Sequence, residues 1–120
     1  LYSEAHFLVL PTTADCSPMV IAEAMAFGTP VLASDTGGVA TLVGGAGTGR
    51  TLPVSATAED WAQAIMSLVA DPFAYEAMSD ACFDRANTRL TWRAWCDDML
   101  RVIETLDRKG VTRDRTVAAA

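Results

Sequence analysis

The sequence predicts an α/β fold, a parallel sheet flanked by helices, with its strands in the first half and mostly helices in the second. Three observations predict it. The apolar run Phe7-Leu8-Val9-Leu10 ends at Pro11, and short continuous runs of this kind suit a strand buried on both faces of a parallel sheet. A second run, Val31-Leu32-Ala33, follows one helix later; strand, helix and strand within about 30 residues form a right-handed crossover unit. Beyond residue 57 the apolar positions change to helical spacing.

The elements follow in order. After the first strand come the small and polar residues Thr12 to Asp15. Ser17-Pro18 then opens a helix, with Ser17 as cap and Pro18 at the first helical position, where its missing N–H costs nothing. Helix formers continue through Phe27, and Gly28 supplies the stop. Thr29-Pro30 leads into the second strand, with proline at its start. Asp35-Thr36-Gly37-Gly38 reads as a turn ordered by Asp35. Val39 to Val43 fits either a helical turn or a strand. Gly44, Gly45 and Gly47 form a flexible loop, and Arg50-Thr51-Leu52 is a third, edge-like strand.

Thr57-Ala58-Glu59-Asp60 resembles a capping box. Behind it Trp61, Ile65 and Val69 recur at i, i+4, i+8, with Ala62 and Met66 beside them. Asp71-Pro72 ends that helix and starts the next, which turns Ala74, Met78, Ala81 and Cys82 to one side. Thr91 caps the last helix. Its inner stripe is Trp92, Trp95, Cys96, Met99, Ile103 and Leu106, and its outer face pairs Arg93 with Asp97, Asp97 with Arg101 and Glu104 with Arg108. Gly110 closes it. All three tryptophans are expected in the core. Residues 1–110 read as one domain and 111–120 as a flexible tail. So few strands leave unpaired edges, so more of the sheet is expected upstream, and a first residue other than Met fits an origin inside a longer protein.

Composition narrows the function. The chain of 120 residues, 51% of them hydrophobic, is long enough for one domain with its own core. The uncharged stretches Ala24–Ser34 and Thr36–Gly49 are broken by glycine, and neither approaches the roughly 20 residues of a membrane span. No signal peptide opens the sequence. Cys16, Cys82 and Cys96 form no CxxC pair; they read as reduced thiols of a cytoplasmic protein, with no metal and no cofactor expected. Membrane association is left to whatever lies outside the chain. The net charge is −6, and no basic patch alternates with aromatics, which argues against nucleic acid as a partner. Residues 1–55 hold only five charged side chains, Glu4, Asp15, Glu23, Asp35 and Arg50, so the carboxylates there stand out.

Open parallel sheets bind ligands beyond the carboxyl ends of their strands, here the segment Pro11 to Val20. A helix starting at Pro18 offers the backbone N–H groups of Met19 and Val20, with Ser17 just before them, to an anion such as a diphosphate. Asp15 precedes that helix. Glu23 lies inside it, about 7.5 Å further along the axis at ~1.5 Å per residue, and its side chain leans back toward the same mouth. Acid, anion site and acid match a nucleotide sugar, which carries hydroxyls at both ends and a diphosphate between.

The run from Asp15-Cys16-Ser17-Pro18 through Glu23-Ala24-Met25-Ala26-Phe27-Gly28-Thr29-Pro30-Val31 to Ser34-Asp35-Thr36-Gly37-Gly38 resembles the signature of the glycosyltransferase family-four group: an acid, seven residues and a Glu, then Ala-Met-Ala, Gly-x-Pro-Val and Ser-Asp-x-Gly-Gly. Residues 1 to about 53 carry the resemblance most closely. It implies a GT-B enzyme of two Rossmann-like domains that uses no metal and retains anomeric configuration, with this chain as the C-terminal donor-binding half, inactive alone. It implies that Glu23 holds the ribose hydroxyls and that Asp15 contacts the donor sugar near the reacting carbon. Backbone groups around Ser17, Met19 and Val20 then meet sugar or phosphate. The first acid is Asp rather than Glu, and Cys16-Ser17-Pro18 replaces a commoner Gly-aromatic-Gly run. No Lys or Arg precedes Arg50, although a diphosphate leaving group needs positive charge; in the family a basic pair comes from the sequence upstream. The partners implied are a nucleotide diphosphate sugar, an unknown acceptor and an N-terminal domain of the same protein.

Plainer readings stand beside these. Asp15 ties down the loop, His6 is a satisfied structural residue, Ser17 is only a cap, and Cys16 is the one thiol near the site. Glu23 resists such a reading, because a carboxylate on an apolar helix is costly to bury. The rival functions are a phosphorylase or sugar-nucleotide epimerase of the same architecture, or a non-catalytic nucleotide-binding or regulatory module.

Overall fold

In the computed structural model, which describes residues 1–45 and 47–108, three parallel strands carry the first unit. They are β1 (Leu8–Leu10), β2 (Val31–Asp35) and β3 (Gly49–Pro53), in the order β1-β2-β3. Leu8 pairs with Val31 and Val31 with Gly49. The central strand is buried from Val31 to Ser34 and apolar through Ala33, as expected of a strand covered on both faces. Alternation along β2 divides the core. Val31 and Ala33 meet Ile21, Met25, Val39, Val43, Cys82 and Ala86 on one face, and Leu32 meets Ala64 and Leu68 on the other. β1 departs from the expectation of burial on both faces. Leu8 and Leu10 are half-buried, but Val9 is exposed, on an edge strand that among the described residues pairs with β2 alone.

The helices of this unit are α1 (Met19–Met25), α2 (Val39–Val43), α3 (Ala58–Val69) and α4 (Pro72–Thr88). The segment that fitted either a helical turn or a strand is therefore helix. α1 begins one residue later than expected. Pro18 is the N-cap, in extended conformation, and Ser17 makes no capping bond. The helix ends at Gly28 in a left-handed turn (φ +70°), with Thr29 N–H donating to the Ala24 carbonyl at 3.1 Å and Gly28 N–H to that of Met25 at 2.9 Å, a Schellman closure.

The capping box before α3 is present. Asp60 N–H donates to Thr57 Oγ1 at 3.3 Å and Thr57 N–H to Asp60 Oδ2 at 2.8 Å; that amide, with the Thr57 hydroxyl donating to the same Oδ2 at 3.0 Å, holds the Asp60 carboxyl below its ordinary value. The buried stripe of α3 differs from the expected one: Ala64 and Leu68 are buried and Trp61 and Ile65 half-buried, whereas Ala62, Met66 and Val69 are exposed. Spacing of i, i+3, i+4, i+7 faces a sheet better than i, i+4, i+8, which drifts around the helix. Asp71 caps α4 through the amides of Phe73 and Ala74, with Pro72 first in the helix. Cys82 and Ala86 are its buried positions, and Ala74 is exposed.

α4 also secures its neighbours. Arg85 donates through Nε to the Leu42 carbonyl at 2.9 Å and through Nη2 to that of Thr41 at 2.6 Å, satisfying the end of α2. The Cys82 thiol donates to the Thr48 carbonyl at 3.0 Å, and the Thr48 hydroxyl donates to the Val43 carbonyl. The Tyr75 hydroxyl donates to the His6 carbonyl at 3.0 Å, so exposed His6 serves through its backbone.

The second unit begins at Thr91 and holds α5 (Trp92–Arg108). Thr91 caps it, accepting the Ala94 N–H at 3.1 Å. Glu104 pairs with Arg108, but Arg101 pairs with Asp98 rather than Asp97. No residue of α5 is buried. Trp92 and Trp95, expected in the core, are 79% and 55% exposed. The expected stop at Gly110 and the tail 111–120 lie outside the described residues.

Candidate functional site

Between the end of β1 and α1 the chain makes a loop at the carboxyl end of the sheet, and local chemistry sets its shape. Asp15 Oδ1 accepts the Ser17 N–H at 3.2 Å, an Asx turn. This is the loop-fastening role weighed for Asp15, and it leaves Oδ2 unengaged by that bond. Ser17 is thus held through its amide, not used as a cap, and its side chain is exposed. Pro18 is buried. With Pro18 at the N-cap, its missing N–H lies outside the first turn of α1. Ile21 N–H donates back to the Pro18 carbonyl at 3.1 Å, which leaves Met19 and Val20 as the leading amides.

The turn after β2 presses on this loop. Gly38 N–H donates to the Cys16 carbonyl at 2.8 Å. A Cβ on Gly37 would stand 2.0 Å from the Asp15 carbonyl oxygen, and one on Gly38 2.6 Å from that of Cys16. The two glycines are there because backbone lies against backbone. Asp35, expected to order this turn, is exposed and makes no side-chain hydrogen bond among the described residues.

Glu23 lies one turn into α1, on the same stripe as Met19, and both are exposed. The costly burial anticipated for its carboxylate does not arise. Instead the Tyr2 hydroxyl donates to Glu23 Oε2 at 3.0 Å. The Tyr2 ring stacks on Phe27, centroids 6.0 Å apart and planes 28° apart. The Tyr2 phenol is raised above its usual value by desolvation, then by the Glu23 carboxylate. No hydrogen bond joins Asp15 to Glu23 among the described residues; the structure ties Asp15 to Ser17 and Glu23 to Tyr2. Tyr2 belongs to a short 3-10 turn (Tyr2–Glu4) that the sequence showed only as part of a strand lead-in.

Arg50 and Arg85 of this unit act elsewhere. Arg50 lies on β3, the opposite edge strand from β1, where its Nη1 donates to Ser67 Oγ at 2.9 Å beside a 440 Å³ cleft shared with Asp60 and Gln63. Arg85 is held by α2. Among the described residues, no helix is long and apolar enough to cross a membrane.

Comparison with known proteins fits this arrangement. Sucrose-phosphate synthase from Thermosynechococcus elongatus superposes with a TM-score of 0.73 at 31% identity, over 90% of this chain and 27% of that one. A D-inositol 3-phosphate glycosyltransferase from Rhodococcus opacus (strain B4) is 32% identical over 100 residues, 83% of this chain and 22% of the relative. One of the same name from Nocardia farcinica (strain IFM 10152) is 39% identical over 71 residues, 59% of this chain and 16% of that protein. The chain therefore spans less than a quarter of the length of these two relatives. The parallel sheet, with its loop and short helix at the carboxyl end, is a Rossmann-like architecture of the GT-B glycosyltransferase type. Residues 1–85 match the family described as "Glycosyl transferases group 1", and the chain belongs to that family.

Proposed function

We propose that this chain is the donor-binding part of a retaining glycosyltransferase of the family-four type, which moves a sugar from a nucleotide diphosphate sugar to an acceptor without a metal or other cofactor. In this reading Glu23 accepts hydrogen bonds from the ribose hydroxyls, the amides of Met19 and Val20 face the diphosphate, and Asp15, with the Ser17 backbone, meets the donor sugar. The observation that carries it is the Glu23 carboxylate, held on the exposed side of α1 by Tyr2 instead of being spent in the core. In this reading Asp15 is a donor-sugar contact, with Oδ1 fastened to the Ser17 amide and Oδ2 left for the sugar. Positive charge for the leaving diphosphate comes from outside this chain, as does the acceptor-binding domain that closes the cleft.

Titrating UDP-, GDP- and ADP-sugars against the full-length protein and its Glu23→Ala variant tests the assignment. Hydrogen bonds to a charged group contribute about 1.5–3 kcal/mol each, so affinity should fall at least about tenfold, the equivalent of about 1.4 kcal/mol. Unchanged affinity removes Glu23 from the site. The relatives named for D-inositol 3-phosphate make that compound the first acceptor to supply in a turnover assay. The engagement of Asp15 in its own loop favours a second reading, a module that binds nucleotide sugar without catalysis. Binding without turnover in the full-length protein, across donors and acceptors, would select it.

A further inference from the structure

We infer that Tyr2 is a positioning residue for Glu23 and, through it, sets the preference for a ribonucleotide over its 2′-deoxy counterpart. This deepens the reading of Glu23 as the ribose contact and rests on it. The reasoning begins with the freedom of an exposed glutamate. Its helix fixes Cα and Cβ, but the remaining torsions leave the carboxylate free to turn in solvent. A ligand that needs the carboxylate in one orientation must then order it on binding, which weakens affinity.

Tyr2 removes that freedom. Its hydroxyl donates to Glu23 Oε2 at 3.0 Å, and the tyrosine is itself fixed from several sides. Its ring stacks on Phe27, four residues beyond Glu23. Its carbonyl accepts both the Thr29 hydroxyl at 3.2 Å and the Ala5 N–H at 3.1 Å, and Thr29 is buried. The phenol is therefore anchored to the end of the same helix that carries Glu23. A phenol, with an ordinary value of 10.0, is a donor throughout the neutral range, and Tyr2 is raised above that. A carboxylate has about four acceptor positions. With one taken by Tyr2, Oε1 and the remaining lone pair of Oε2 stay open, enough for the two adjacent hydroxyls of a ribose. A 2′-deoxyribose supplies only one, so aligning both acceptor sites favours the diol specifically.

The experiment titrates UDP, GDP and ADP, and their 2′-deoxy forms, against the full-length protein and the variants Tyr2→Phe, Glu23→Gln and the double variant, with thermal melting alongside. For the base that binds, the wild type should prefer the ribose form. Tyr2→Phe should weaken the ribonucleotide by about 3- to 10-fold, the usual range for one lost hydrogen bond, and leave the deoxynucleotide nearly unchanged, so the ratio falls. The double variant should bind no more weakly than Glu23→Gln alone, since Tyr2 acts through Glu23. A purely structural tyrosine would lower the melting temperature or weaken both nucleotides without moving the ratio. Should Tyr2→Phe keep the ratio, or should its effect add in full to that of Glu23→Gln, the positioning role is overturned. Should Glu23→Gln itself keep the ratio, the ribose contact falls first, a distinguishable failure. Phe27→Leu, which removes the stack and spares the phenol, provides a second variant if Tyr2→Phe does not fold; it too should lower the ratio, and an unaltered ratio counts against the proposal.

Discussion

Replacing Gly37 by alanine drives a methyl group into the backbone of the loop that carries Asp15. The new Cβ would stand 2.0 Å from the Asp15 carbonyl oxygen and 3.2 Å from the Cys16 Cα. Real Cβ atoms essentially never come closer than 3.0 Å, so loop or turn must give by about 1 Å. Gly37 is also left-handed, at φ +53°, which costs an L-residue about 1–2 kcal/mol. Overpacking adds about 1–3 kcal/mol, so Gly37→Ala should lose about 2–5 kcal/mol. For a domain of this size each kcal/mol is worth about 4–8 °C in melting temperature, and the fall should be on the order of 10 °C or more. Gly38→Ala separates the two causes. Gly38 has φ −91°, open to any residue, so only the 2.6 Å approach to the Cys16 carbonyl counts, about 1–3 kcal/mol. Differential scanning calorimetry measures the stability, and titration of the variants that stay folded measures the site. A nucleotide sugar should lose more affinity than the free nucleotide diphosphate, because the displaced loop carries Asp15 and not Glu23. A Gly37→Ala protein that melts within about 2 °C of wild type would refute the argument that backbone contact shapes this loop.

Two more predictions concern the core. Burial pushes the Cys82 thiol up to about 12 from its ordinary 9.0. The neutral thiol is the form favoured on folding, so its contribution is complete below pH 9 and is lost as pH rises toward 12, at most about 4 kcal/mol at 1.36 kcal/mol per unit. Urea unfolding followed from pH 8 to 11 should show that decline, and Cys82→Ala should flatten it. A thiol reagent at pH 8 should titrate exposed Cys16 and Cys96 in the native protein and Cys82 only after denaturation; a fast third thiol contradicts the burial. Arg85→Ala should cost about 2 kcal/mol, within the range for hydrogen bonds from a charged donor, and Arg85→Lys should recover less than half, because an ammonium lacks the planar fork that spans two carbonyls. An unchanged urea midpoint at constant slope would show that Arg85 does not hold α2.

Much of the fold was legible in the sequence because it is written in short-range chemistry. The capping box at Thr57 and Asp60, the Asp71-Pro72 break, the Thr91 cap and the Gly28 stop each act across a few residues, so identity and spacing suffice to find them. The two strands and the helix between them follow equally from apolar runs ended by proline and glycine. The start of α1 was misplaced for the same reason it was predicted: proline suits both the N-cap and the first helical position, and only backbone geometry separates the two. The stripe of α3 was misread because Trp61, Ala64, Ile65 and Leu68 make a face only once there is a sheet for them to meet.

At the site the division is sharper. Sequence alone singled out Asp15 and Glu23 as carboxylates in a nearly uncharged half, placed them around one short helix, and put that helix at the carboxyl end of a parallel sheet. Tertiary structure decided what each carboxylate does at rest: Asp15 fastened to the Ser17 amide, and Glu23 exposed and held by a tyrosine 21 residues away. It also brought Gly37 and Gly38 against the Asp15 loop, and Arg85 to α2 across 43 residues. Periodicity and capping report only what a residue does to its near neighbours, whereas the partners that aim a side chain are chosen by how the crossovers stack.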